Sequence, residues 1–351
     1  MQTSGEVAFK PGRVAAVDAL RGCAALAVLA QHLALFHPWE ILPSGTWADA
    51  VVARSLRVAA DWGGLGVPMF LVLSGYCIGH AWQRSTTWHD FARRRVRRIY
   101  PKYLASLPLA MCLGSPADGP LPLVGAWPCD GPGYLAAVAT VMTWPATDYR
   151  PFQVVYWTLT YEVAFYALLT AALAVPEPLR LGTLVGMAVV GSILTLVPQA
   201  AQFPGPTFFC CLWPLFALGL ALALARRTPR GACLVAAAAL AGLSVVDEVC
   251  RSRGYAPTAM VTLAALVLVD RARRPIPVGC LADLGRVSYG LYITHLPVMI
   301  LVGRLLPASL TLAWAGAAAL GTVAAQVSVA IIFRRLLGPP RVTARPALRR
   351  P

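Results

Sequence analysis

The sequence predicts an all-α polytopic integral membrane protein: about ten transmembrane helices plus a short re-entrant hairpin, with both termini cytoplasmic. Three observations carry this reading. The first is composition. Of the 351 residues, 58% are hydrophobic and only 13% are charged, too little polar surface for a water-soluble chain of this length. The second is a succession of eleven apolar runs, near 16–36, 64–82, 100–116, 133–145, 155–175, 181–198, 206–225, 231–246, 256–269, 281–303 and 309–333. The third is the placement of basic residues. The net charge is +15, and 28 of the 30 basic residues are Arg. They stand in short clusters between apolar runs, the pattern of cytoplasmic loops. A basic face for nucleic acid would gather them on one surface, so no nucleic-acid partner is expected.

The run 16–36 is too long for the core of a signal peptide and carries charges, so it reads as the first span. The fourth run is the odd one. Its 13 residues would cover ~20 Å as a helix, against ~30 Å of hydrocarbon. Loop charges decide its course. If it turns back, 22 Lys and Arg lie inside and 6 outside; if it crosses, 13 lie inside and 15 outside. Only the first arrangement obeys the positive-inside rule, so a re-entrant hairpin is expected near 133–154. Residues 1–335 then form one integral membrane domain. Residues 336–351 form a basic, disordered cytoplasmic tail drawn to anionic lipid. The nine Cys show no C-x-x-C spacing and read as small core hydrophobes; no metal site is expected. A disulfide between Cys129 and Cys250 is open if both face outside.

A polar residue inside a span is expensive and needs a reason. The first run reads "VDALRGCAALAVLAQHLALF" from Val17 to Phe36. Arg21 and His32 are eleven residues apart. Eleven helical steps return to within ~20° of the start, so both lie on one stripe, ~16 Å apart along the axis. Asp18, three residues before Arg21, lies on the neighbouring part of that face and reads as a partner of Arg21. With the N-terminus inside, Arg21 is near the inner side and His32 in the outer half. The fifth run, "VVYWTLTYEVAFYALL", enters from outside and puts Glu162 ~10 Å below the outer surface. The tenth, "LGRVSYGLYITHLPVMI", enters from inside and carries His295 past the midplane. His32, Glu162 and His295 are therefore expected at comparable depth. A carboxylate beside imidazoles would fix a tautomer and raise basicity, as a general base requires. The bland readings are a Trp or Tyr partner for Glu162 and a simple kink at Pro297 for His295.

After the second run comes "DFARRRVRRIYPKY", with five Arg in the six positions 93–98. Membrane anchoring explains some of them. So dense a cluster also suits a cytosolic ligand with several phosphates, because Arg forks match phosphate oxygens. Arg94, Arg95 and Arg98 are the candidate binders. Ser74 lies mid-span among small residues, with no nucleophile elbow around it, and reads as packing or ligand-lining. Tyr289, His295 and Trp157 complete the candidate lining of the substrate site.

These stretches together resemble the acyltransferase-3 family of membrane-bound acyltransferases. The matches are "VDALRGCAALAVLAQH" with its Arg-x10-His, "GVPMFLVLSGY", "RRVRRIYPKY", "YWTLTYEVAFY" and "LGRVSYGLYITHLP", in the family's order, over residues 17–297. The chain departs from the family in its last helix, where Arg334 or Arg335 of "IIFRRLLGPP" stands in place of a Glu. The resemblance implies transfer of an acyl group, most simply acetyl, from cytoplasmic acyl-CoA to a hydroxyl of a carbohydrate or glycoconjugate. It implies no permanently bound cofactor. Arg95 and Arg98 would hold CoA phosphates, Arg21 would polarise the thioester region, His32 would be the base and Glu162 its support. With no convincing nucleophile in view, direct transfer is expected. Other partners expected are the lipid bilayer and the glycan acceptor, in a bacterial inner membrane. The rival reading is a multi-pass transporter or flippase for a glycan or lipid-linked sugar, since polar intramembrane residues also mark translocation paths.

Overall fold

Helix geometry dominates the computed structural model, which describes residues 11–36, 47–113, 131–149, 151, 153–197, 205, 207–250, 253–272, 277–305, 323–324, 326–332 and 334–336. The helices are α1 (Pro11–Phe36), α2 (Trp47–Trp62), α3 (Gly66–Gln83), α4 (Trp88–Leu113), α5 (Pro132–Thr140), α6 (Trp157–Ala174), α7 (Glu177–Leu194), α8 (Trp213–Leu224), α9 (Pro229–Val249), α10 (Tyr255–Arg271) and α11 (Gly279–Leu305). Further helical residues lie at 323–324, 326–332 and 334–336, and no strand occurs among the described residues. Cys129 and residues 337–351 of the predicted tail lie outside the described residues. Cys250 is a free thiol that faces the Cys211 carbonyl at 3.8 Å.

Five described stretches are long and apolar enough to cross a membrane: Val14–Leu35, Arg57–Gln83, Val154–Ala174, Glu177–Leu194 and Pro229–Val249. Phe208–Leu224 is apolar but shorter. Large apolar side chains also stand outward: Val261 and Leu268 on α10 are each 70% exposed, and Leu234 on α9 is 61% exposed. Such a belt is a liability in water and is satisfied by lipid.

Lipid gives helices no hydrophobic reason to associate, so close packing at small residues has to supply it. Gly219 of α8 lies against the Val72 carbonyl and Tyr76 amide of α3, and Gly285 of α11 rests on the Asp18 carbonyl of α1. A Cβ fits at neither place. Gly285→Val is therefore expected to cost about 1–3 kcal/mol through overpacking. The check is the Tm of the detergent-purified protein; an unchanged Tm would contradict this α1–α11 contact.

The contacts also give helix directions. Asp18 lies beside Gly285, and His32 beside His295, so α1 and α11 run parallel. Thr158 meets Tyr292 while Glu162 shares a cavity with Tyr289, so α6 runs against α11. Ser106 bonds Tyr156 while Arg95 lies over Tyr166, so α4 also runs against α6. Gly75 approaches Phe216 and Gly79 approaches Ala223, so α3 and α8 run parallel. These directions agree with the alternation that the loop charges predict.

Three elements differ from the sequence reading. The stretch around Arg54 and Arg57, expected as a loop, is helix α2, which packs on α1. The Arg cluster, expected in a loop before a helix starting near residue 100, lies inside α4, which starts at Trp88. The fourth apolar run is helical only as α5. Those nine residues make a rod ~13 Å long. Tyr103 and Tyr100 of α4 donate to the Val138 and Thr140 carbonyls, at 2.9 and 3.3 Å. The chain then runs back until Tyr156 is level with Ser106, 2.7 Å away.

Candidate active site

The candidate residues fall on two levels between α1, α3, α4, α6 and α11. The lower level is a partly open pocket with a cavity volume of ≈ 60 Å³. Its polar wall is Arg21 from α1, Ser74 from α3, Thr158 and Glu162 from α6, and Ser288, Tyr289 and Tyr292 from α11. Val67, Phe70, Leu71, Leu159 and Phe165 supply its apolar wall. Four of the sequence candidates, Arg21, Ser74, Glu162 and Tyr289, thus reach one cavity from four helices.

Below the cavity, α4 separates its arginines by helical period. Arg93, Arg94 and Arg97 are exposed, whereas Arg95 and Arg98 turn inward. Arg94 is held at the surface by Asp90, at 2.5 Å, and Ser85, at 2.8 Å. Arg95 stacks its guanidinium over Phe91 and Tyr166, 5.5 and 5.6 Å from the ring centroids, and its buried Nε has no hydrogen-bond partner. Arg98 lies within electrostatic reach of Arg21, Glu162, Tyr166 and Tyr289. Lys102 adds its ammonium 5.4 Å above the Tyr289 ring. Four cations therefore converge on a region whose near carboxylates are Glu162 and Asp18. Asp18 is within reach of Arg21, Arg98 and Arg286 rather than closed onto Arg21 alone. That cationic surplus invites an anion.

Glu162 departs from its expected setting. It takes a short hydrogen bond from Tyr166, one turn along α6, and sits among the arginines rather than beside the imidazoles. The reason is register. Thr158 hydrogen-bonds Tyr292 at 2.7 Å. Going down α6 to Glu162 and up α11 to His295 then separates the two by seven residues, ~10 Å.

The upper level is a pair of imidazoles. His32 and His295 have ring centroids 4.9 Å apart, and His295 Nε2 lies 3.3 Å from His32 Nδ1. His295 Nδ1 is 2.7 Å from the Tyr292 carbonyl, and His32 Nδ1 is 2.9 Å from the Val28 carbonyl. The Tyr292 ring links the levels. It walls the cavity, stands 5.8 Å from the His295 ring and 5.9 Å from Phe70, and donates its hydroxyl to the Val155 carbonyl. Trp157 packs edge-on against Tyr161 at 5.6 Å, off the cavity wall. Arg334 and Arg335 are exposed helical residues.

Sequence reasoning overlooked Tyr166, Tyr292 and Gln326. The first two carried a signal: Tyr166 is four residues from Glu162, and Tyr289, Tyr292 and His295 recur every three residues on one helix face. Gln326, fully buried, donates to the His295 carbonyl at 3.2 Å. No pattern within the sequence links positions 295 and 326.

The described helices thus combine membrane-length apolar stretches, a cavity bordered by a cluster of cations, and above it a half-buried His32 paired with the buried His295. The comparison with known families makes the class specific. An acyltransferase domain model of the acyltransferase-3 family matches residues 14–332, and the chain belongs to that family. It is similar to Acyltransferase MdmB of Streptomyces mycarofaciens, with 27% identity over 358 residues covering 93% of this chain and 89% of the relative. No solved structure matches it.

Proposed function

We propose that this acyltransferase moves an acyl group, most simply acetyl, from cytoplasmic acyl-CoA to a hydroxyl of a carbohydrate or glycoconjugate. It works in a bacterial inner membrane, with ten spans, one re-entrant hairpin and both termini inside. One observation carries the reading: Arg98 lies within electrostatic reach of Arg21, Glu162 and Tyr289, which line a cavity whose Tyr292 wall stands 5.8 Å from the His295 ring.

Arg95 and Arg98 hold CoA phosphates at the inner end, where bidentate guanidinium contacts are strongest. The pantetheine arm lies along the cavity past Ser74 and Tyr289. Arg21, within reach of Glu162 and Arg98, steadies the donor arm below the thioester, which reaches up to the level of His32. Glu162 keeps this cation cluster from self-repulsion, a supporting role one level below the one its sequence suggested. His32 removes the acceptor's hydroxyl proton as general base. The hydroxyl oxygen attacks the thioester carbonyl, the C–S bond breaks, and the CoA thiolate takes the proton from His32. No acyl-enzyme is required.

The test has two arms. Acetyl-CoA and free CoA should each raise the Tm of the purified protein, an outcome that a glycan flippase does not explain. Mass spectrometry of envelope glycans with and without the gene should show one acyl mass lost. An unshifted Tm together with unchanged glycans would overturn the proposal.

A further inference from the structure

We infer that His295 is the positioning residue of the reaction: it accepts the Nδ1–H of His32 and so makes His32 Nε2 the basic atom. This rests on the proposed role of His32 as base and adds the identity of its partner and of the reacting nitrogen.

The argument is a proton count. A carbonyl only accepts hydrogen bonds. His295 Nδ1 lies 2.7 Å from the Tyr292 carbonyl, so Nδ1 carries the proton. In a neutral imidazole the other nitrogen then holds the lone pair. That Nε2 faces His32 Nδ1 at 3.3 Å and accepts from it. His32 Nδ1 is also 2.9 Å from the Val28 carbonyl, which again demands a proton on Nδ1. Both constraints on His32 agree, and the lone pair of that ring falls on Nε2.

The Val28 contact alone does not do this work. That oxygen belongs to the preceding turn of α1, where it serves the helix, so it offers the ring a shared bond. His295 offers a lone pair that no backbone group of α1 claims. Its own ring is locked from behind by Tyr292, and its backbone carbonyl by Gln326 at 3.2 Å. His295 is 1% exposed. A buried neutral acceptor also favours the imidazolium that forms when His32 takes the hydroxyl proton on Nε2. The positive charge is then shared through Nδ1–H toward His295 Nε2. No net charge is created when the thiolate recovers that proton. The arrangement has the logic of a base held by a third group, with an imidazole where hydrolases place a carboxylate.

His295→Leu removes the acceptor, and His295→Gln restores one at the same reach. For acetylation of native-host membranes by labelled acetyl-CoA, His295→Leu should lower kcat by about 10²–10³-fold with the KM for acetyl-CoA unchanged. His295→Gln should recover at least about tenfold of that loss. His295→Leu placed on His32→Ala should cost nothing more, because the two act as a unit. A second arm needs no acceptor. The chain has 5 His, so ¹⁵N-histidine spectra of the protein in lipid can be assigned by substitution, and both rings should carry their protons on Nδ1. Four results would overturn the inference: wild-type kcat in His295→Leu, no recovery in His295→Gln, additive losses in the double variant, or a proton on His32 Nε2. Failure of the base reading looks different: His32→Ala itself would then turn over at the wild-type rate.

Discussion

His32→Ala is expected to lower the rate of acyl transfer by about 10²–10⁴-fold, the range for removal of a general base, while the protein still folds, inserts and binds CoA. The separation follows from geometry. His32 belongs to the imidazole pair, whereas the cations proposed to bind the donor lie a level below it. The loss should therefore appear in kcat, with the CoA-induced shift in Tm preserved. His32→Gln sharpens the test. Its amide can still donate toward His295, but it has no lone pair basic enough to take a hydroxyl proton, so it should be as inactive as Ala. Wild-type turnover in either variant would remove His32 as the base. A loss of both turnover and the CoA shift would mean that the two levels are one site.

The stripe on α1 was legible in the sequence because helix periodicity is local: Arg21 and His32 needed only their spacing. The partner of His32 was not. His295 is 263 residues away, and the contact depends on α1 and α11 running parallel and closing at Gly285. Counted from an outer surface at the start of α6, Glu162 would stand level with the imidazoles. The chain reaches that helix by way of α5 and the return to Tyr156, so the helix start is fixed by Ser106 and Tyr292 instead. The arginine cluster misled in the opposite sense. Dense charge reads as loop, yet the 3.6-residue period within α4 turns Arg95 and Arg98 to one side and Arg93 and Arg97 to the other. Helix α2 was hidden by the same averaging, since Arg54, Arg57 and Asp61 dilute its apolar positions.

That periodic division yields the second large effect. Arg95→Ala combined with Arg98→Ala should raise the KM for acyl-CoA with a smaller change in kcat, because phosphate contacts remote from the reacting carbon are equally present in ground and transition states. Each charge-assisted bond is worth about 1.5–3 kcal/mol, so each Arg should contribute roughly ten- to a hundredfold in KM. Arg94→Ala is the internal control. It lies on the same helix and carries the same charge, but its guanidinium is already committed to Asp90 and Ser85 at the surface, so its effect should stay below about threefold. If the cluster served only to anchor the helix at the membrane surface, the exposed arginines would matter as much as the buried ones. Equal effects of Arg94 and Arg98 on KM would thus favour anchoring. Arg98 carries a further consequence, since it lies within reach of both Arg21 and Glu162. Removing it leaves Glu162 with fewer cations, which should draw Arg21 toward the carboxylate and away from the donor arm. Arg98→Ala should therefore lower kcat somewhat as well as raising KM, whereas Arg95→Ala, whose guanidinium stacks on Phe91 and Tyr166, should act on KM alone.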